Sequence, residues 1–207
     1  RACTVVNERE RLALLSLAPD VRVHVVGLGV DLEHLKPPQP PVESAHVIFC
    51  GVMNYQPNAD GVLWFAREVW PLVRRSRQDA RFIVVGAEPT LEIRELPQRD
   101  PSIEVTGTVP DVRDYLWNAA VSVAPLLTAR GLQNKVLEAL AAGLPAVMTS
   151  AVHEFLPGPV VQGCIEASDV SDYAEGVIAL LALEPQQRRA RSSLADLSAL
   201  EIGRAHV

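Results

Sequence analysis

The sequence predicts an α/β fold built on a Rossmann-like, doubly wound, parallel six-stranded sheet. Three observations carry this expectation. Short apolar runs alternate with helix-period segments from about residue 46 onward. The runs are apolar enough to be strands covered on both faces, as parallel strands are. The composition, 207 residues with 48% hydrophobic and 21% charged, suits a soluble protein with one sizeable core.

The elements follow in order. Residues 4–6 and 21–26 read as strands flanking a helix at 7–17, with Asn7 as its N-cap and Glu10 completing a capping box. A turn-rich Gly27-Leu28-Gly29-Val30-Asp31 comes next, then Lys36-Pro37-Pro38-Gln39-Pro40-Pro41. The proline cluster excludes helix and central strand, so it is a stiff connector. A domain boundary is expected within 27–43, dividing the chain into 1–35, a strand–helix–strand piece plus linker, and 36–207. One such piece cannot bury its faces alone. Together with a first residue that is arginine, it makes a fragment or processed product the expectation. Six strands are expected at 46–50, 81–85, 103–105, 121–124, 145–148 and 163–165. Helices are expected near 58–76, 89–97, 110–118, 132–143, 169–183 and 186–200.

Bulk chemistry narrows the function. A formal net charge of −6 argues against broad electrostatic capture of nucleic acid or anionic membrane. Cys3, Cys50 and Cys164 lack zinc or redox spacing and are expected to be buried thiols in a reducing, cytoplasmic compartment. His24, His34, His46 and His206 lack metal-ligand spacing, and the apolar stretch at 136–148 is broken by Glu138 and Pro145.

In a doubly wound sheet of strand order 3-2-1-4-5-6, ligands bind at the switch point beyond the carboxyl ends of strands 1 and 4. The loops there are residues 51–60 and 125–134. The second leads into Arg130-Gly131-Leu132-Gln133-Asn134-Lys135-Val136-Leu137-Glu138. A helix start attracts phosphate through its free N–H groups, a lysine strengthens that pull, and a carboxylate accepts hydrogen bonds from sugar hydroxyls. The combination suits a nucleotide-sugar. Gly131 removes bulk where backbone approaches ligand, Asn134 is a candidate cap, and Lys135 and Glu138 share a helix face. An isolated pair at that spacing is more often a surface ion pair; the glycine and the switch-point position tip the reading toward a ligand.

In the first loop, Gly51 either opens the backbone to phosphate or serves packing, and both readings stand. Asn58 reads as the cap of the helix holding Trp64 and Phe65 in preference to a ligand contact. Gly86 is expected to serve a turn and Asp111 to cap the next helix. Backbone groups near Val109 lie within reach of a nucleobase. His153 and Glu154 read as solvated loop residues.

Five ordered motifs now carry a family resemblance across nearly the whole chain. They are Gly27-Leu28-Gly29-Val30-Asp31 with Lys36-Pro37; Phe49-Cys50-Gly51; Phe82-Ile83-Val84-Val85-Gly86; Val105-Thr106-Gly107-Thr108-Val109, followed by Val123-Ala124-Pro125-Leu126; and Leu137-Glu138-Ala139-Leu140-Ala141-Ala142-Gly143-Leu144-Pro145-Ala146-Val147. Together they resemble the C-terminal nucleotide-binding half of GT-B glycosyltransferases, in the large retaining group (family 4, group 1 type) that includes many bacterial polysaccharide transferases.

That family holds its donor with two glutamates seven residues apart. Glu138 matches the second, which typically binds the ribose hydroxyls; the first would fall at Arg130 and is missing. The usual arginine and lysine after the first strand are also absent from 51–60. Related sugar transferases carry Asn-Lys-x-x-Glu before the same helix, and Asn134-Lys135-Val136-Leu137-Glu138 resembles that variant. The charge lost from the first loop would then come from the second, through Lys135 and Arg130.

The implied donor-binding set is Gly51, Val109, Arg130, Gly131, Leu132, Gln133, Asn134, Lys135 and Glu138. The resemblance implies a UDP-, GDP- or ADP-sugar donor and a glycan or lipid-linked acceptor. It also implies hexosyl transfer with retained configuration, and neither metal nor cofactor. Peripheral membrane association would run through the other domain. Because the acceptor pocket also belongs to that domain, these 207 residues alone are expected to bind nucleotide weakly and to transfer no sugar. No catalytic residue is assignable. A nucleotide-sugar epimerase of the same architecture and a non-catalytic nucleotide-binding module remain alternatives. A dehydrogenase is disfavoured because no Gly-x-Gly-x-x-Gly opens a βαβ unit.

Overall fold

A computed structural model describes residues 2–6, 8–26 and 29–200. The expected cap Asn7, the turn residues Gly27 and Leu28, and His206 lie outside the described residues. The first elements are β1 (Ala2–Val5), α1 (Glu8–Leu17), β2 (Arg22–Val25) and α2 (Leu32–Leu35). Then follow β3 (His46–Cys50), α3 (Gln56–Trp64), a π-helical turn (Phe65–Val69), α4 (Trp70–Ser76) and β4 (Arg81–Val85). Next come α5 (Leu91–Arg94), α6 (Leu96–Arg99), β5 (Ile103–Gly107), α7 (Arg113–Trp117), β6 (Val121–Ala124) and α8 (Asn134–Ala141). The chain continues through β7 (Ala146–Thr149), α9 (Ser150–His153), α10 (Gly158–Val161), β8 (Cys164–Ala167), α11 (Val170–Leu181) and α12 (Pro185–Ser192).

Strands β3 to β8 form one parallel sheet in the order β5-β4-β3-β6-β7-β8. Numbered within the sheet, this is 3-2-1-4-5-6, the order expected. The two strands that flank the switch point are therefore direct neighbours, with Val47 beside Val121 and Ile48 beside Ser122. From that central pair the right-handed crossovers run outward in opposite senses, which places α3 and α4 on one face and α8 on the other. Helix α11 returns to pack on α4. Between them Phe65 lies tilted against Phe82 at 4.7 Å between centroids, and Tyr173 meets Phe65 edge-on at 5.6 Å. The Tyr173 hydroxyl donates to the Val147 carbonyl at 2.7 Å and Trp70 Nε1 donates to Ser102 Oγ at 2.9 Å, so the polar atoms of this aromatic cluster are satisfied.

Several element boundaries differ from those expected, each for a local reason. The helix expected from 58 begins at Gln56, with Pro57 in its first turn. It widens to a π turn just before Pro71, whose ring would clash with the carbonyl four residues back in a regular helix. The segment expected as one helix at 89–97 is two short ones, with Thr90 accepting from Ile93 N and Pro97 opening the second. Among the described residues the last helix stops at Ser192, and a 3-10 turn at Ser198–Leu200 follows. Strand β5 runs two residues beyond its apolar run, to Gly107. The short helices α2, α9 and α10 carry too little periodicity to be read from sequence.

The first piece pairs β1 with β2 in parallel, Ala2 opposite Arg22. Glu10 accepts from Val6 N at 3.2 Å, next to the start of α1. Leu12, Leu17 and Val26 are mostly exposed. The connector that follows is held against the six-stranded unit. Val30 and Leu35 are buried, Val30 N donates to Leu200 O at 2.8 Å, and Trp117 Nε1 donates to Leu35 O at 2.8 Å. Cys164 is buried and Cys50 half-buried, but Cys3 is exposed on the small sheet, contrary to expectation.

Candidate functional site

The carboxyl ends of β3 and β4 must turn away from the sheet side by side, and two glycines let them do so. Gly51 N donates to Val85 O at 3.0 Å and Gly86 N donates to Gly107 O at 3.2 Å. Gly86 has φ of +144°, and a Cβ there would lie 1.7 Å from the Gly51 carbonyl oxygen. Its role is therefore close backbone contact between two loops, more demanding than the simple turn expected.

Beyond these ends lies an open cleft of about 360 Å³. Cys50, Gly51 and Val52 form its floor at β3; Val85, Gly86 and Ala87 continue it at β4. Thr108, Val109 and Val112 make the wall after β5. Asn134, Lys135 and Glu138 make the opposite wall, from the first turns of α8. A second hollow of about 490 Å³ begins on the other side of Thr108, between Glu88, Arg94 and Gly107. Glu88 has φ of +56°, the only positive value on a non-glycine among the described residues, and its carboxylate accepts from Asn54 Nδ2.

Helix α8 begins at the mouth of the cleft because the preceding loop turns sharply. Gly131 sits at φ of +69°, in the left-handed region, and a Cβ there would meet nothing within 4 Å among the described residues. Its glycine is explained by conformation. Gln133 is the N-cap residue by backbone geometry, and Asn134 is already inside the helix, so the expected cap at Asn134 is one position off. The Gln133 side chain instead donates to the Gly131 carbonyl at 3.2 Å, bracing the loop.

Lys135 is half-buried. Its ammonium lies 4.9 Å from the centre of the Phe49 ring and donates to Asn58 Oδ1 at 2.6 Å. Burial pushes its pKa down from 10.5 to about 8, with the Glu138 carboxylate pulling the other way. Burial also raises the Glu138 carboxyl, with Lys135 pulling the other way. The Cys50 thiol is pushed up to about 12 by the same dry surroundings and stays neutral. A poorly solvated cation, a carboxylate one helical turn further on and the free N–H groups of a helix start thus face one space. Such an arrangement is chemically suited to a compact anion next to hydroxyl groups.

Of the nine residues expected to hold a ligand, Gly51, Val109, Asn134, Lys135 and Glu138 line the cleft. Arg130, Gly131, Leu132 and Gln133 lie on the approach to α8, outside its lining, and Arg130 is exposed. Asn58 is a correction. It lies inside α3, buried at 5% exposure, and bonds across to Lys135 rather than capping its own helix. Asp111 accepts from Arg113 N at 2.9 Å at the start of α7, close to the capping role expected, and the Arg113 guanidinium holds its carboxyl down to about 2. His153 and Glu154 lie outside the cleft; His153 pairs with Glu166 at 3.5 Å. Sequence reading missed the apolar rim of Val52, Ala87 and Val112. Single apolar loop residues carry no chemical signature, and only the strand order brings them together.

Known structures share this architecture. The chain superposes on a mutant of S. aureus TarM in complex with UDP at TM-score 0.69 and 16% identity, covering 95% of this chain and 41% of that one. For sucrose-phosphate synthase from Thermosynechococcus elongatus the values are 0.67, 18%, 96% and 54%. For Anabaena HepE in complex with UDP and glucose they are 0.70, 12%, 96% and 58%. The chain thus spans about half the length of these proteins. No curated protein sequence matches it significantly. The sequence profile of glycosyl transferases group 1 matches residues 44–183, which takes in every strand of the large sheet and the whole cleft. With sheet order, switch-point cleft and profile in agreement, the chain belongs to the group 1 glycosyl transferases, of GT-B fold.

Proposed function

We propose that this cleft holds the diphosphate and ribose of a nucleotide-sugar donor for retaining sugar transfer to a glycan or lipid-linked acceptor in polysaccharide assembly. The observation that carries the reading is Lys135, a cation kept poorly solvated at a helix start, with Glu138 one turn further on. Lys135 and the α8 N–H groups stabilise the departing diphosphate, where negative charge grows as the glycosidic bond breaks. Glu138 accepts from the ribose hydroxyls. Val109 and Thr108 border the base. The acceptor site and the rest of the catalytic constellation belong to a facing domain, and the enzyme works in the cytoplasm. Titration of the intact protein with UDP, GDP and ADP, followed by a transfer assay with the matching sugar donors, tests the reading. Failure of all three nucleotides to bind refutes it. Donor turnover that needs no acceptor points to an epimerase, and binding without turnover to a nucleotide-binding module.

Two expectations follow from the site. Glu138→Gln keeps shape but weakens the ribose contact, so nucleoside diphosphate affinity falls about tenfold while inorganic pyrophosphate affinity holds. Calorimetry with both ligands separates the contributions. The pH dependence follows from Lys135, whose pKa is depressed by folding. Nucleotide affinity therefore falls as pH rises through about 8, where the amine loses its proton. Between about 8 and 10.5 the unfolded chain binds the extra proton, so this group's contribution to stability rises with pH over the same window. Affinity and melting temperature then move in opposite directions, provided Lys135 dominates both.

A further inference from the structure

The structure assigns Asn58 a role that rests on the donor reading: it is the positioning residue that holds the Lys135 ammonium at the cleft wall before ligand arrives. Asn58 lies in the first turn of α3 and is 5% exposed. Its two amide ends are both used. Nδ2 donates to the Val52 carbonyl at 2.8 Å, and Oδ1 accepts from Lys135 Nζ at 2.6 Å. The orientation is forced, because flipping the amide would put its NH2 against the ammonium and its oxygen against a carbonyl. One side chain thus ties the loop after β3 to the first turn of α8, the two segments that face each other across the switch point.

Gly51 belongs to the same device. A Cβ on Gly51 would lie 2.8 Å from Asn58 Nδ2 and 3.2 Å from the Phe49 ring. The glycine makes room for the Asn58 amide and for the ring over which Lys135 lies. A lysine has a long, flexible stem whose ordering costs binding energy. Held on an aromatic face by one amide oxygen, it has lost that freedom in advance. An amide oxygen suits the task better than a carboxylate. It orders the cation without neutralising it, leaving the full charge for an incoming anion. The charged or titratable groups facing Lys135 are Glu138 on α8 and Cys50 on β3; α3 contributes only the neutral Asn58.

Two substitutions in the intact protein test this. Asn58→Leu keeps bulk and removes the acceptor; Asn58→Asp keeps the acceptor and adds charge. The readouts are the Lys135 titration, followed by NMR of its labelled ε-carbon, and the affinity for UDP, GDP and ADP. In Asn58→Leu the Lys135 midpoint falls below that of the wild type and affinity for the nucleotide that binds drops about tenfold. In Asn58→Asp the midpoint rises and affinity also drops, because the cation is already neutralised. A purely structural role would lower the melting temperature of both variants and leave the Lys135 midpoint where it was. Unchanged midpoints in both variants overturn the assignment, even if Lys135→Ala abolishes nucleotide binding. If no nucleotide binds the wild type while the midpoints move as stated, the donor reading fails and the positioning role stands. Should the leucine variant not fold, the aspartate variant alone decides by the sign of its shift.

Discussion

Replacing Lys135 with alanine in the intact protein is expected to weaken nucleoside diphosphate binding by roughly 10- to 100-fold. A hydrogen bond to a charged group contributes about 1.5–3 kcal/mol net, and each 1.4 kcal/mol is a factor of ten. The upper part of this range applies because the cleft offers little to replace the lost charge. Among the described residues its other titratable lining groups are Glu138 and Cys50. Arg130 is exposed on the loop outside the lining, so it is not placed to substitute. Folding should be little affected. Removing a poorly solvated cation relieves a burial cost, while the Asn58 carbonyl loses one partner. Calorimetric titration with the nucleoside diphosphate that binds the wild type, next to a thermal melt, measures both. An affinity within twofold of wild type would remove Lys135 from the site and take the diphosphate reading with it.

Gly86→Ala is expected to have the largest effect on stability. The new methyl group would sit 1.7 Å from the Gly51 carbonyl oxygen, deep inside any permissible contact distance, and the acceptor is backbone that cannot swing aside. The φ of +144° adds strain that a non-glycine residue rarely tolerates. The loops after β3 and β4 must separate, which costs about 4 kcal/mol or more and lowers the melting temperature by roughly 10 °C. Gly131→Ala is the control. It also sits at positive φ, but its surroundings are open, so it costs only about 1 kcal/mol. The contrast isolates steric contact from backbone conformation. A melting temperature for Gly86→Ala within a few degrees of the Gly131→Ala variant would show that the two loops are not held together as described.

Much of the fold was legible because its signals are local. The runs at 46–50, 81–85 and 121–124 match their strands residue for residue, since a strand covered on both faces is largely apolar. Alternation with helices then allows few topologies, and the observed order is the one expected. Boundaries strayed where a local feature overrode the pattern. Pro71 widened a helix, and Thr90 and Pro97 divided another. Lys135 and Glu138 were readable because a cation and a carboxylate on one helix face at a switch point make a chemical pattern in a single segment.

Asn58 was not readable in the same way. In sequence it is an asparagine ahead of an apolar helix, and such residues are most often caps. Its partner is Lys135, 77 positions away, and only the adjacency of β3 and β6 brings them within 2.6 Å. Gly51 and Gly86 are alike glycines after strands, yet one makes room for a side chain and the other for a carbonyl. The sequence by itself determined the strand succession, the family and the charged residues of α8, because each is written in residue type and spacing along one segment. Tertiary structure alone decided which loop residues line the cleft, how dry Lys135 becomes and what holds it. Burial and hydrogen-bond partnership depend on groups that the fold brings together from distant parts of the chain.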